Sequence, residues 1–272
     1  MSNKDEIQSE ILDLLRADEE NVPVSIRLFN DTGILAQFDW LLSLLDKVIV
    51  EVERDCEERG IFPLLRMDAS GIELWAYDFI LRCHMLASAR QQIAFAASHI
   101  FRTHVLEVSC HLRRAIEGAG IAFLSLSEPD LGNAYIEGRR SEITRRTQKD
   151  KIFPESNPIT KDLRDSIDFA NELTHNNFKS MAGRLEHAFG SSGSKWSFGI
   201  KLSYHEVGSP NHSHILRIAL WTLRVGERIA RLFAASFSLP EASLWYTELK
   251  DYSERLDALN VKLNSIVRPE GT

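Results

Sequence analysis

The 272-residue chain lacks the features that define several large classes of protein. Its three cysteines, Cys56, Cys83 and Cys110, share no short spacing, so we expect free thiols in a reducing compartment. No window reaches about 18 uninterrupted apolar residues. The first ten residues carry neither the basic nor the apolar region of a secretion signal. These absences predict a cytoplasmic protein without a membrane-spanning segment.

Catalytic and cofactor motifs are also missing. The sequence contains no G-x-S-x-G, no P-loop, no H-E-x-x-H and no G-x-G-x-x-G. It has one Glu-x-x-His pair, Glu172 and His175, whereas a di-metal helical bundle needs two such pairs. His205, His212 and His214 have no cysteine nearby, which favours cap and surface positions over zinc ligation. We therefore expect no metal and no cofactor.

Negative charge is concentrated in the first part of the chain. The net charge is -7, and residues 1–60 hold 15 acidic against 6 basic residues, a net of -9 that leaves +2 for the rest. A chain that is acidic overall is a poor non-specific binder of nucleic acid. The basic run at 139–151 is a local candidate for an RNA contact, through Arg139, Arg146 and Lys149. The alternative is a solvated helical face, because acidic residues interrupt the run.

Hydrophobic periodicity predicts an all-α protein, a multi-helix bundle with long heptad-patterned helices. We expect helices at 4–19, 33–59, 72–127 (broken into two antiparallel helices between 96 and 104), 130–150, 161–187 and 210–238, and a last helix after Pro240. Proline and valine at 21–24 are expected to end the first helix. Apolar residues step by four and three along two of the helices, as in a coiled-coil seam. The first seam is Ile34, Phe38, Leu41, Leu45, Val48 and Val52, and the second is Trp245, Leu249, Tyr252, Leu256, Leu259, Leu263 and Ile266. We expect the two seams to pair either within the molecule or across a dimer.

One segment alternates apolar and polar residues and predicts a short β-strand or hairpin near 195–206. A strand needs a partner, and no second alternating run exists. The strand is therefore expected to pair either with the extended loop at 61–65 or with another copy of the chain. For the domain organisation, we expect residues 1–60 to form an acidic helical arm that packs on the bundle. Residues 61–272 then form the bundle core, in one integrated domain with the arm.

Two polar stripes are candidates for chemistry. The helix at 102–123 has an apolar side and a polar side, and the polar side holds His104, Glu107, Cys110, His111, Arg114 and Glu117. The predicted helix from 161 places Arg164, Asp168, Asn171 and His175 on one stripe, at spacings of four, three and four. The two stripes make one polar patch if the helices face each other. The alternative is two solvated faces that do not meet.

Arg113, Arg114 and Glu117, together with the later LTHNNF at 173–178, resemble the HEPN-like all-helical bacterial proteins over about residues 75–190. Some members of that group are ribonucleases of defence or toxin systems. The resemblance implies a metal-independent ribonuclease in which His175 is the general acid or base. Arg114 or Arg164 would then hold the phosphate, with Glu117 beside them. HEPN ribonucleases carry an Arg and a His separated by four to six intervening residues, and this sequence lacks that spacing.

The sequence thus leads to two hypotheses of different classes. The first is a bacterial-type cytosolic interaction or regulatory protein that self-associates as a dimer and has a protein partner. Its motivation is the pair of heptad seams, the strand without a partner and the absence of a complete catalytic motif. The second is the HEPN-like ribonuclease, for which RNA is the partner.

Overall fold

The computed structural model describes residues 19–60, 65–67, 73–128, 130–174, 185–192, 195–202 and 212–267, and these form an all-α multi-helix bundle. The helices are α1 (19–32), α2 (Ile34–Arg59), α3 (Tyr77–Phe101), α4 (Val105–Leu124), α5 (Leu131–Ile136), α6 (Arg140–Arg146), α7 (Lys149–Ile152), α8 (Pro158–Thr174), α9 (His212–Ser236) and α10 (Leu244–Val267). Four strands form two antiparallel pairs: β1 (Leu65–Met67) with β2 (Glu73–Trp75), and β3 (Leu185–Ser192) with β4 (Lys195–Leu202). Of the helices described, none is long and apolar enough to cross a membrane.

The two heptad seams pack against each other within one chain. Each seam residue whose burial is described, that is all but Ile266, is at most 8% exposed. Helices α2 and α10 run antiparallel: Trp245 Nε1 donates to the carbonyl of Leu44 at 2.8 Å, and Lys262 Nζ reaches the carbonyl of Thr32 at 3.5 Å. The pairing within the molecule, one of the two arrangements expected from the sequence, is therefore the one observed.

Helix α4 lies at the centre of the bundle, in contact with α3, α8 and α9. It forms an antiparallel hairpin with α3, and the turn at 102–104 contains Thr103 at φ 62°. Gly120 allows the closest approach, because a Cβ built there would lie 1.9 Å from Cγ2 of Ile152 and 2.7 Å from the ring of Phe153. The missing side chain lets the end of α7 press directly on α4.

Helices α8, α9 and α10 form one side of the bundle. Helix α9 runs antiparallel to α8, because Trp221 stacks edge-on against Phe169 (4.9 Å between ring centroids) while Arg228 pairs with Asp162 seven residues away on each helix. Helix α10 packs on the other flank of α9. The polar side chains along this three-helix face form the groove described below.

Several predicted helix boundaries are wrong. The chain is helical at 19–32, across Pro23, because Phe29 is fully buried and tertiary packing outweighs the local signal for a break. The segment at 130–150 is three short helices, since Gly138 adopts φ 68° and Gln148 is extended. Helix α3 begins at Tyr77, with β2 at Glu73–Trp75 in front of it.

The region after α8 also differs from the prediction. A helix was expected to run to about 187, yet α8 ends at Thr174 and Leu185–Ser192 is strand β3. Strand β4 pairs with β3, and the register runs from Leu185 opposite Leu202 to Ser192 opposite Lys195. The expected partners, the loop at 61–65 or a second copy, are therefore wrong. The sequence LEHAFGSS of β3 has no alternating pattern, and so its strand was not recognised.

Candidate functional site

The polar side of α4 is only partly available for chemistry. Arg113 Nε forms an ion pair with Glu117 Oε1 at 2.9 Å, so the carboxylate of Glu117 is occupied by its own helix. Arg114 is exposed, and within the described part of the chain it forms no ion pair with a carboxylate. Of the residues predicted on this helix, Arg114 alone presents a charge to solvent without a carboxylate beside it.

The histidines of this stripe join α4 to α3. The Nδ1 of His111 hydrogen-bonds with Gln92 Oε1 at 2.6 Å, and its ring stacks on that of His99, with 5.1 Å between centroids. Burial lowers the pKa of His111, and His99 and Arg114 lower it further. Across the residues that the structure describes, no three His, Cys, Asp or Glu side chains are arranged to hold a metal ion. The imidazoles therefore serve mainly as a contact between two helices.

The second predicted stripe faces in a different direction. Arg164 of α8 donates to the carbonyl of Phe153 at 3.1 Å and pairs with Asp150 at 2.9 Å, which ties α8 to α7. Helices α4 and α8 do pack together, but no hydrogen bond or ion pair between described residues joins Arg164 to Arg114 or Glu117. His175, the predicted acid or base, lies outside the described residues.

The three predicted nucleic-acid contacts are each paired with carboxylates. Arg139 pairs with Glu142 and, at 2.9 Å, with Glu137. Arg146 pairs with the same Glu142 at 2.6 Å. Lys149 pairs with Asp168 of α8. These pairs offset the positive charges of the three predicted contacts, which weakens their attraction for a phosphate backbone.

A polar site lies on the side made by α8, α9 and α10. Arg224, Arg228 and Arg231 occupy one stripe of α9 and line an open groove of about 530 Å³. Asp162 of α8, Tyr246 of α10 and Glu241 line it as well. We call this site the arginine groove. A second hollow of about 440 Å³ shares Arg231, Glu241 and Tyr246 with it, and so the two form one continuous depression.

Glu227 organises the arginines from inside. It is 7% exposed, and its Oε1 accepts hydrogen bonds from Ser253 Oγ at 2.6 Å and Arg231 Nη2 at 2.9 Å. Its Oε2 accepts one from Arg224 Nη1 at 3.2 Å. Burial alone raises the pKa of Glu227, but Ser253 and the two arginines outweigh burial and hold that pKa below its usual value. The carboxylate therefore stays ionised and fixes two guanidinium groups on the groove wall.

Carboxylates offset the arginines of the groove. The three arginines face the carboxylates of Asp162, Glu227 and Glu241, and Arg224 also pairs with Asp257 in the adjoining hollow. At the rim, burial raises the pKa of Tyr246, with a further contribution from Glu241. Beneath the groove lies Tyr252, whose hydroxyl is fully buried and, within the described part of the chain, has no hydrogen-bond partner.

Sequence reasoning missed this site. The signal is present in RVGERIAR at 224–231, which places three arginines and one glutamate at helical spacing. A glutamate on the edge of a buried helix face, with arginines three residues before and four residues after it, predicts a partly buried ion network. An arginine cluster contains no catalytic base, so patterns of nucleophiles and histidines do not indicate such a site.

Comparisons of the chain with models of protein families, with curated protein sequences and with solved structures returned no match.

Proposed function

We propose that this protein is a helical interaction or regulatory module that binds a charged ligand or partner group at the arginine groove and catalyses no reaction there. The observation that carries the proposal is the buried, ionised Glu227, which fixes Arg224 and Arg231 at the wall of an open depression. Side chains fixed before binding lose little entropy when a ligand arrives. This arrangement favours recognition of charge.

The titration behaviour of the groove supports binding over catalysis. General acid–base catalysis works best with a group whose pKa lies near the working pH. In the groove, the pKa of Glu227 is lowered from 4.5 and that of Tyr246 is raised from 10.0, so both move away from neutrality. Neither of the two shifted groups is a suitable proton donor or acceptor at neutral pH.

A ligand panel tests the proposal. Thermal unfolding of the wild type and of Glu227→Gln is measured with carboxylates, phosphate esters, polyamines and neutral sugars at one ionic strength. Ligands that bind only the folded state raise the melting temperature. We expect at least one charged class to stabilise the wild type and to lose that effect in the variant. If no charged class does so, the groove is not a binding site and the proposal fails.

Self-association stays a prediction. The two features that motivated it are now accounted for within one chain, because the heptad seams face each other and β4 pairs with β3. A dimer would therefore use another surface of the bundle. Light scattering at high micromolar concentration checks this point, and a strict monomer would end the prediction without affecting the groove.

The alternative function is a HEPN-like, metal-independent ribonuclease. It is supported by the packing of α4 on α8 and by the exposed Arg114, which is free to contact a phosphate. Purified protein is incubated with total RNA without added metal, beside Arg114→Ala and His175→Ala. The alternative requires cleavage by the wild type and at least about tenfold slower cleavage by both variants. Intact RNA, or variants that cut equally well, would exclude it.

A further inference from the structure

The arginine groove contains one ion pair that is strong enough to position a side chain and weak enough to be replaced. Arg228 Nη2 lies 3.4 Å from Asp162 Oδ2, and these side chains are 38% and 58% exposed. Exposed pairs of this kind contribute about 0–1 kcal/mol, since water and salt compete for both charges. An anionic ligand can therefore take the place of the Asp162 carboxylate at low cost.

Arg231 offers donors on the same wall. It uses Nε and Nη2 for Glu227 and Ser253, and within the described part of the chain its Nη1 makes no hydrogen bond. A guanidinium has five N–H donors, so the remaining ones are available to a ligand. Arg228 and Arg231 are three residues apart on α9, a rise of about 4.5 Å along the helix axis. Positions three residues apart are neighbours on the surface of a helix, so one tetrahedral anion can contact both guanidinium groups.

The charge balance narrows the ligand class. Because the carboxylates of Asp162, Glu227, Glu241 and Asp257 offset the three arginines, a singly charged ion gains little by entering. A dianion with several acceptor oxygens gains more, because it replaces one carboxylate and contacts two guanidiniums. Phosphate groups have this charge and geometry, and Arg binds them with paired N–H donors.

We propose that the arginine groove binds a phosphate group between Arg228 and Arg231, in exchange for Asp162. Glu227 is a positioning residue in this site, since it holds Arg231 while the ligand contacts the free edge of the guanidinium. The inference rests on the proposed function and makes it specific. Free phosphate and phosphate monoesters share the chemistry that the groove recognises, and the experiment separates them.

The experiment measures binding of inorganic phosphate and of phenyl phosphate by calorimetry, with chloride holding the ionic strength constant. We expect Asp162→Asn to bind at least about threefold more tightly than the wild type, because a competing carboxylate is gone. Arg228→Gln and Arg231→Gln are each expected to bind at least about tenfold more weakly, which corresponds to about 1.4 kcal/mol. Tighter binding of phenyl phosphate than of phosphate identifies an ester as the preferred source.

The matched control is Arg59→Gln. Arg59 is an exposed arginine of α2 that pairs with Asp55 at 2.9 Å, far from the groove in sequence, and its removal should leave phosphate binding unchanged. Circular dichroism confirms that every variant folds. If Asp162→Asn and Arg228→Gln bind phosphate as the wild type does, or if phosphate binds no better than chloride, the inference is overturned. A carboxylate or polyamine that still binds would leave the proposed function standing.

Discussion

The Glu227 network gives the most direct test of the groove. In Glu227→Gln, the shape of the side chain is kept and the charge is lost. Hydrogen bonds to charged groups contribute about 1.5–3 kcal/mol and neutral ones about 0.5–1.5 kcal/mol. Glu227 accepts hydrogen bonds from three groups, those of Ser253, Arg231 and Arg224. The substitution weakens each of these hydrogen bonds by about 1 kcal/mol, so before any correction for exposure the free energy of unfolding falls by about 3 kcal/mol. Because both arginines are partly exposed, we reduce it to about 2 kcal/mol.

Urea unfolding at pH 7, followed by tryptophan fluorescence, measures this loss. For a chain of this size, about 2 kcal/mol corresponds to a melting temperature lower by about 4 °C or more. The control is Glu254→Gln. Glu254 and Lys250 both lie on α10, with 3.9 Å between the exposed carboxylate and the ammonium group, and the substitution should change the free energy of unfolding by less than about 0.5 kcal/mol. If Glu227→Gln also stays within that range, Glu227 does not hold the arginines and the reasoning is refuted.

The same variant has a pH signature. The pKa of Glu227 is lower in the folded chain than its unfolded value of 4.5. The unfolded state therefore binds the proton more readily, and the stabilisation is fully present above pH 4.5 and lost as pH falls through the folded pKa. We expect the stability difference between the wild type and Glu227→Gln to shrink as pH falls below 4.5. A difference that stays constant down to pH 2 would contradict the assignment.

Three further predictions concern the bundle. Gly132→Ala should cost about 1–3 kcal/mol in urea unfolding, because its Cβ would lie 2.5 Å from the backbone nitrogen of Asp78; wild-type stability would contradict this packing. Because the pKa of His111 is lowered from 6.5 in the folded chain, its contribution to the free energy of unfolding is present above pH 6.5 and declines as pH falls below that value. His111→Gln should flatten this decline in urea unfolding, whereas the control His84→Gln, at an exposed position, should leave it in place. Tyr252→Phe should be neutral or stabilising in thermal unfolding, since it removes a buried hydroxyl without a partner in the described residues, and a loss above about 1 kcal/mol would reveal a bond.

Much of the bundle is predictable from spacing. Both seams, from Ile34 to Val52 and from Trp245 to Leu263, are buried along their whole length. A repeat of four and three residues places the apolar side chains on one face of a helix, and that face is buried against the rest of the bundle. The turn between α3 and α4 also falls in the expected region, at 102–104. The spacing of apolar residues does not show which helix packs against each apolar face. The seams satisfy intramolecular and intermolecular pairing equally well until the three-dimensional path of the chain is known.

The candidate site was less predictable, for a physical reason. The spacing of polar residues identifies side chains that share a helix face. It does not show which of them form ion pairs with another helix and so point away from their neighbours on that face. Arg164 fits a stripe with Asp168, yet it bonds to Phe153 and Asp150 near the end of α7. The hydrogen bonds that keep Glu227 ionised include one from Ser253, which lies on a different helix. Contacts between helices that are distant in sequence decided which polar residues formed a site.

The antiparallel contact between α2 and α10 bears on how the chain acquires its fold during synthesis. Trp245 Nε1 bonds to the carbonyl of Leu44 across 201 positions of sequence. A ribosome adds about 5–20 residues per second, so the part of the α2 seam that α10 covers stays exposed for about 10–40 seconds. During that interval a row of aliphatic side chains is open to other nascent chains. We therefore expect early termination between α9 and α10 to yield an insoluble product, and a chaperone that shields α2 to improve the yield of the full chain.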